Sequence, residues 1–168
     1  PVFLLYVVGA HEGDLWVLAE DAGPFLLRFD RETLENTGGY RAEQMSNPVV
    51  DGSGRLWFSS GGGLYRDFAD LGLPVCTSQL AASSDGEQLA WVDGEDRVWR
   101  AAVADFEPEL LEERRSMAPF YLPTSPVLVV LLLEGGFAMH MPDGTVMEIE
   151  EGMQPSWCPM PEGVVYCV

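Results

Sequence analysis

An aromatic column that returns at a nearly fixed interval constrains this chain more than any other feature. Trp16 lies in Gly13-Asp14-Leu15-Trp16-Val17-Leu18, Trp57 in Gly54-Arg55-Leu56-Trp57-Phe58 and Trp91 in Gln88-Leu89-Ala90-Trp91-Val92. The column continues to Leu131, inside the apolar run 127–133, and to Tyr166 in Val164-Val165-Tyr166. The spacings of 41, 34, 40 and 35 residues average 37.5. A period of this size marks a chain built from supersecondary units that bury their faces only by stacking on one another.

A second column keeps the register. Arg66 and Arg100 each follow their Trp by nine residues, and His140 follows Leu131 by nine. Arg28 holds the place in the first unit, after a longer linking turn. Upstream, Asp51-Gly52 and Asp85-Gly86 both fall six residues before their Trp, as turn dipeptides in which Gly supplies positive φ. Each unit reads as short β-prone runs separated by tight turns. In the second unit the expected strands are 46–50, 55–60 and 63–68, with a weaker fourth near 73–77. In the third they are 78–83, 88–92 and 97–103, with a fourth near 109–114. The segment 107–117 contains helix formers around Leu110 and Leu111, but the repeat requires an outer edge strand there.

Four short antiparallel strands per unit at this period define an all-β fold, a β-propeller of four-stranded blades. The whole of 1–168 reads as one propeller domain. Its blades span 1–38, 39–74, 75–114 and 115–149, and 150–168 supplies half of a fifth. About four and a half blades are present, so the propeller is expected to be incomplete. Either the chain is part of a longer one, or its open edge pairs with a neighbouring subunit, since an unprotected edge invites aggregation. The chain begins at Pro1 rather than Met, which also points to processing or trimming.

Composition narrows the partners. The formal charge is −18, and all nine basic residues are Arg. That charge opposes docking on nucleic-acid phosphates and on anionic membranes. The missing Lys and the single Ile149 have two readings, a GC-rich genome or a carboxylate-rich surface adapted to salt. The longest apolar run covers seven residues, against about 20 for a membrane helix. Cys76, Cys158 and Cys167 are an odd number with no CxxC pair, so buried thiols are expected rather than disulfides or structural zinc. With no visible signal peptide this favours the cytoplasm; a signal removed before Pro1 would favour the periplasm.

Candidate chemistry is sparse. Equivalent positions of successive blades share one propeller surface, so Arg28, Arg66, Arg100 and His140 are the candidate binding residues, a cationic arc for an anion or an acidic partner. The competing reading is solvated charge at strand ends, repeated by ancestry. Trp16, Trp57, Trp91 and Trp157 are expected to pack between blades. His11-Glu12 with Asp14 forms a possible acid–base corner or an exposed hairpin turn. Asp93-Gly94-Glu95-Asp96 and Asp51-Gly52-Ser53-Gly54 carry calcium-friendly oxygens without the spacing of a calcium loop. No GxSxG elbow and no phosphate loop are present, and Gly61-Gly62-Gly63 reads as a hairpin turn. No catalytic residue, metal site or cofactor is assigned.

Several segments resemble known propeller repeats. Gly152-Met153-Gln154-Pro155-Ser156-Trp157-Cys158-Pro159, with Gly163-Val164-Val165-Tyr166, is similar to the TolB-type or WD40-like PD40 repeat, with Cys158 in place of its second Ser. Ser83-Ser84-Asp85-Gly86-Glu87-Gln88-Leu89-Ala90-Trp91 resembles the same repeat with its Asp-Gly intact. Residues 51–58 through 63–66 resemble propeller repeats of two-component sensors and of virginiamycin-lyase and gluconolactonase-like proteins. The resemblance implies a scaffold or sensor module that presents loops to a protein or peptide partner, within a larger protein or assembly. It also leaves open a propeller lyase or lactonase with a metal on the central axis, for which His140 and the acidic turns are the available pieces. A third reading is a structural subunit completed by a neighbouring chain.

Overall fold

The computed structural model describes residues 4–11, 14–20, 24–41, 46–75, 80–122, 125–149, 158–160 and 163–165. All regular structure among them is β-strand. The chain divides into two compact units, Pro1–Ser78 and Gln79–Val168.

The first unit holds two four-stranded sheets. One is β1 (Leu4–His11), β2 (Asp14–Glu20), β3 (Pro24–Asp30) and β4 (Asn36–Arg41); the other is β5 (Ser46–Val50), β6 (Leu56–Ser60), β7 (Gly63–Arg66) and β8 (Ala69–Pro74). In each, strands adjacent in sequence are hydrogen-bonded neighbours, and every pairing is antiparallel. The core is a cluster of Leu18, Leu26, Leu56 and Phe58, with Val8, Trp16, Val50 and Tyr65 packed against it. Phe58 stacks on Tyr65 at 5.2 Å between ring centroids. Each fully buried side chain of this size contributes about 1.5–3 kcal/mol relative to exposure. Burial falls from inner to outer strands. Four of the five residues of β6 are buried, whereas no residue of β8 is.

The hairpins explain why the expected strand 63–68 ends at Arg66 and why the one after it is displaced. Ser60 pairs with Gly63 across Gly61 and Gly62, whose φ values are +58° and +84°. This is the two-residue turn with both central residues left-handed. Asp67 and Phe68 make the next turn the same way, at φ +47° and +70°, between paired Arg66 and Ala69. No glycine advertises that turn. The fourth strand therefore begins at Ala69, several residues before the expected 73–77.

The second unit begins with β9 (Leu80–Ala82), β10 (Gln88–Val92), β11 (Val98–Ala102) and β12 (Glu109–Glu112). Its next sheet is β13 (Ser116–Tyr121), β14 (Leu128–Leu132), β15 (Phe137–His140) and β16 (Val146–Ile149). A two-stranded sheet, β17 (Cys158–Met160) and β18 (Gly163–Val165), follows. The segment at 107–117 supplies an outer strand, β12, rather than a helix. β13 lies against β9 and β10. The Ser116 amide donates to the Asp96 carbonyl at 2.7 Å, and the Arg115 guanidinium clasps the Asp96 carboxylate. The apolar core of the second of these sheets is Val127, Val129 and Phe137, flanked by Phe120, Leu131, Met139 and Ile149. Trp157 and Cys76 lie outside the described residues.

Candidate functional site

The repeated basic column divides into different structural positions. Arg28 on β3 stands opposite Trp16, with its guanidinium 5.8 Å from the ring centroid and an ion pair to Asp14. Arg66 on β7 stands opposite Trp57, 5.6 Å from its ring. These two are equivalent, and both form cation–π contacts. Arg100 is not equivalent to them. The residue opposite Trp91 is Trp99, and Arg100 faces Ala90. The physical reason is hairpin register. Three residues separate Trp57 from a two-residue turn, so its partner lies nine residues on, whereas one residue separates Trp91 from a five-residue turn, Asp93–Arg97, so its partner lies eight on. A fixed step of nine therefore lands one residue past the partner of Trp91, on the other face of the pleat. Arg100 is held there by Glu109, with Nε donating to Oε1 at 2.8 Å. His140 faces Leu128, not Leu131, and is only 6% exposed.

Around His140 lies a charge network with buried Glu112 at its centre and partly exposed Arg114 and exposed Glu148 at its rim. Arg114 forks onto Glu112, Nε to Oε1 at 2.9 Å and Nη2 to Oε2 at 2.7 Å, and reaches Glu148 at 2.9 Å. The Arg114 guanidinium holds the Glu112 carboxyl below its usual range against the opposing effect of burial. Glu112 Oε2 sits 3.8 Å from His140 Nε2, which has no hydrogen-bond partner among the described residues. Burial pushes the imidazole below its ordinary value, Glu112 pulls it back, and Arg100 and Arg114 push it down again. The imidazole is thereby kept neutral at neutral pH.

Two Asp-Gly turns share one construction. In Asp51-Gly52-Ser53-Gly54-Arg55-Leu56-Trp57, Asp51 Oδ1 accepts from the amides of Ser53 and Arg55, and Oδ2 accepts from Trp57 Nε1 at 2.7 Å. In Asp93-Gly94-Glu95-Asp96-Arg97-Val98-Trp99, Asp93 Oδ1 accepts from the amides of Glu95 and Arg97, and Oδ2 from Trp99 Nε1 at 2.8 Å. Asp85 lacks this arrangement; its Oδ1 accepts from Ser83 Oγ and the Glu87 amide. The spacing of six to a Trp is shared by Asp51, Asp93 and Asp85, so spacing alone does not separate the clamp from the Asp85 turn; the indole bond at Asp51 and Asp93 does. These carboxylates are committed to the turns. Among the described residues no three His, Cys, Asp or Glu side chains are placed to hold a metal ion. Asp14 is engaged by Arg28, and Glu12 of the His11 corner lies outside the described residues.

Two clefts open on the second unit. One, of about 370 Å³, is bordered by Arg114, Arg115, Glu134 and Glu148. The other, of about 510 Å³, is bordered by five carboxylates, by Arg100 and by Tyr121. His140 lines neither. Tyr121 had no sequence signal; it follows Phe120 in an apolar strand. Its side chain is buried, and its hydroxyl has no hydrogen-bond partner among the described residues.

No protein-family profile matches the sequence, and no curated protein matches it. Solved structures do match. Dihydro-heme d1 dehydrogenase NirN in complex with DHE aligns at a TM-score of 0.62 and 16% identity, over 86% of this chain and 36% of that one. The Cps50 (Swd1) β-propeller domain of Myceliophteria thermophila aligns at 0.53 and 12%, over 79% and 49%. An oligogalacturonate lyase in complex with manganese aligns at 0.56 and 14%, over 84% and 50%. The chain thus spans between about a third and a half of these proteins. At these identities the likeness shows the fold alone: a propeller-repeat protein, built here as a partial β-propeller of four-stranded antiparallel sheets.

Proposed function

We propose that the chain is a propeller recognition module that engages a protein or peptide partner, with 1–168 acting as successive blades of one propeller domain. The observation that carries this reading is the larger cleft of the second unit. It is open, about 510 Å³, and lined by charged side chains spread along its walls instead of converging on one point. A spread of charges suits an extended partner that makes several contacts. The turns that border it are closed by backbone hydrogen bonds, Ser83 to Gln88, Gly86 to Ser83 and Phe106 to Ala102, and a preorganised surface lowers the ordering cost of association. Neither nucleic acid nor a membrane is the expected partner at a formal charge of −18. Among the described residues no helix is long and apolar enough to cross a membrane.

The test is selection of a random-peptide display library on the immobilised, folded chain. Independent selections are expected to converge on a shared motif that competes as a free peptide. Repeated selections without a shared motif would overturn the reading.

A further inference from the structure

Each four-stranded sheet ends on its fourth strand, β4, β8, β12 or β16, whose far edge pairs with no described strand. An open strand edge is a template for another chain, and proteins blunt it with bulges, charge or Pro. Three of the four are blunted. β4, β8 and β12 each carry a register shift against the strand inside them. β8 adds Gly72 at φ +67° and Pro74, and β12 adds a glutamate at each end. β16 has none of these devices. It pairs with Phe137 to His140 without a shift, and it contains neither Pro nor Gly. Val146 and Met147 are 46% and 50% exposed. Its single charge, Glu148, is drawn onto Arg114.

The polar groups of that edge follow from the hairpin. The Met141 amide donates to the Thr145 carbonyl at 2.8 Å, which closes the turn between β15 and β16. Hydrogen-bonded pairs alternate along an antiparallel ladder. Met147 and Ile149 therefore bond inward to β15, and the N–H and C=O groups of Val146 and Glu148 point outward. No described strand pairs with them. At the Ile149 end of β16 lies the cleft of about 370 Å³, with Leu132, Phe137 and Ile149 among its walls. Its arginines are spent, Arg114 on Glu112 and Glu148 and Arg115 on Asp96. Glu134, exposed on the rim, has no ion pair among the described residues. With the arginines' partners counted, the carboxylates of Glu134, Glu148, Glu112 and Asp96 outnumber the two guanidinium groups.

We infer that the outer edge of β16 takes up an extended segment of a partner protein as an added strand, with an apolar side chain beside Met147 and a basic one reaching Glu134. Backbone bonds to Val146 and Glu148 supply the affinity, and the cleft receives one side chain of the segment. A second copy of this chain is the poorer occupant. Two chains of formal charge −18 repel, and residues 141–149 carry no basic side chain to offset that. The inference goes beyond the recognition reading, since β16 and the larger cleft share no residue.

The experiment uses the full chain and a fluorescein-labelled peptide of alternating valine and arginine, read by fluorescence anisotropy at fixed ionic strength. Its controls are the same peptide with every amide N-methylated, which cannot form a ladder, and one with glutamate in place of arginine. The valine–arginine peptide is expected to bind, the N-methylated one at least about tenfold more weakly, and the glutamate one not at all. Val146→Pro removes one outward N–H and spares the inward ladder, as edge prolines do, and is expected to weaken binding about fivefold. Val146→Thr keeps that N–H and is expected to change binding less than about twofold. Glu134→Gln is expected to weaken it about threefold, as one exposed ion pair would. Wild-type affinity in a Val146→Pro chain with an unchanged circular dichroism spectrum would overturn the site. Equal affinity of the wild-type chain for the N-methylated peptide would overturn it whatever the variants do. A free chain that sediments as a dimer, and as a monomer once Val146→Pro is made, would put a second copy on the edge and overturn the assigned partner. If the valine–arginine peptide fails to bind while library selection converges on a motif indifferent to Val146→Pro, this inference falls and the recognition reading stands.

Discussion

Asp51→Asn is the most informative single substitution, because it changes one atom and meets donors on both sides. Asp51 is 3% exposed, and its carboxylate only accepts: from the Ser53 amide and hydroxyl, from the Arg55 amide, and from Trp57 Nε1. An asparagine can keep its oxygen toward the backbone amides only by turning its NH2 against the indole N–H. The reverse rotamer sets the NH2 against two backbone donors. The cheaper choice loses the bond to Trp57, whose side chain is fully buried, so water does not replace it. A hydrogen bond to a charged group is worth about 1.5–3 kcal/mol. The remaining bonds lose their charge assistance near exposed Ser53, adding about 0.5 kcal/mol. The expected cost is therefore about 2–3.5 kcal/mol, or about 5–12 °C in Tm for a chain of this size. The assay is urea unfolding followed by tryptophan fluorescence, with Asp85→Asn as comparator. Asp85 lies at the same spacing from a Trp but is exposed and bonds only Ser83 and Glu87, so its cost should stay below about 1 kcal/mol. Burial pushes the Asp51 carboxyl up, but the bonds from Trp57, Ser53 and Arg55 outweigh it and leave it below the ordinary aspartate range. Its stabilisation is therefore present above the unfolded value and is lost as pH falls through the folded one, so Asp51→Asn should also flatten the acid limb. Equal costs for the two substitutions, or an Asp51–Trp57 coupling below about 0.5 kcal/mol in a double-mutant cycle with Trp57→Phe, would refute the clamp.

Other expectations follow from the same contacts. Arg114→Ala should destabilise the second unit by about 2 kcal/mol, at the low end for a buried pair because Arg114 is partly exposed, and Arg114→Lys should recover only part of it since the fork to Glu112 is lost; thermal unfolding checks both. His140 is held below its ordinary value, so its contribution is full above the unfolded value of 6.5 and declines as pH falls from there through the folded value. Melting temperature should drop across that window, and His140→Gln should flatten this part of the profile. Gly62→Ala should cost about 1–2 kcal/mol by chemical denaturation, because φ is +84° although nothing crowds the added carbon, whereas Gly61→Asn should cost about half as much.

Much of the sheet architecture is legible in the sequence because turn chemistry and aromatic spacing are local. β5, at 46–50, and β10, at 88–92, fall where alternation and flanking Asp-Gly turns place them. Legibility fails where partner identity depends on hairpin register. The nine-residue step to Arg66 and to Arg100 looks like one column, yet three residues separate Trp57 from a two-residue turn and one separates Trp91 from a five-residue turn, which puts the two arginines on different faces relative to their Trp. The turn at Asp67-Phe68 is hidden because neither residue announces positive φ. In the candidate site, the carboxylates are visible as letters but their shared cleft is not. It gathers residues from 85 to 142, a separation that no local spacing rule reaches. Tyr121 is hidden for the same reason, since only the packing around β13 reveals that its hydroxyl lacks a partner.

The Asp-to-indole clamp has a consequence for how such a chain can vary. In residues 51–57 it closes the hairpin between β5 and β6, the first and second strands of their sheet; in residues 93–99 it closes the hairpin between β10 and β11, the second and third. It is satisfied entirely within seven residues and makes no demand on which strands it joins. A cassette of that kind can migrate along a repeat, and the connections outside it can lengthen or shorten while the closed turn persists. Uneven periods of 34 to 41 residues are what a lineage assembled from portable hairpins would be free to accumulate.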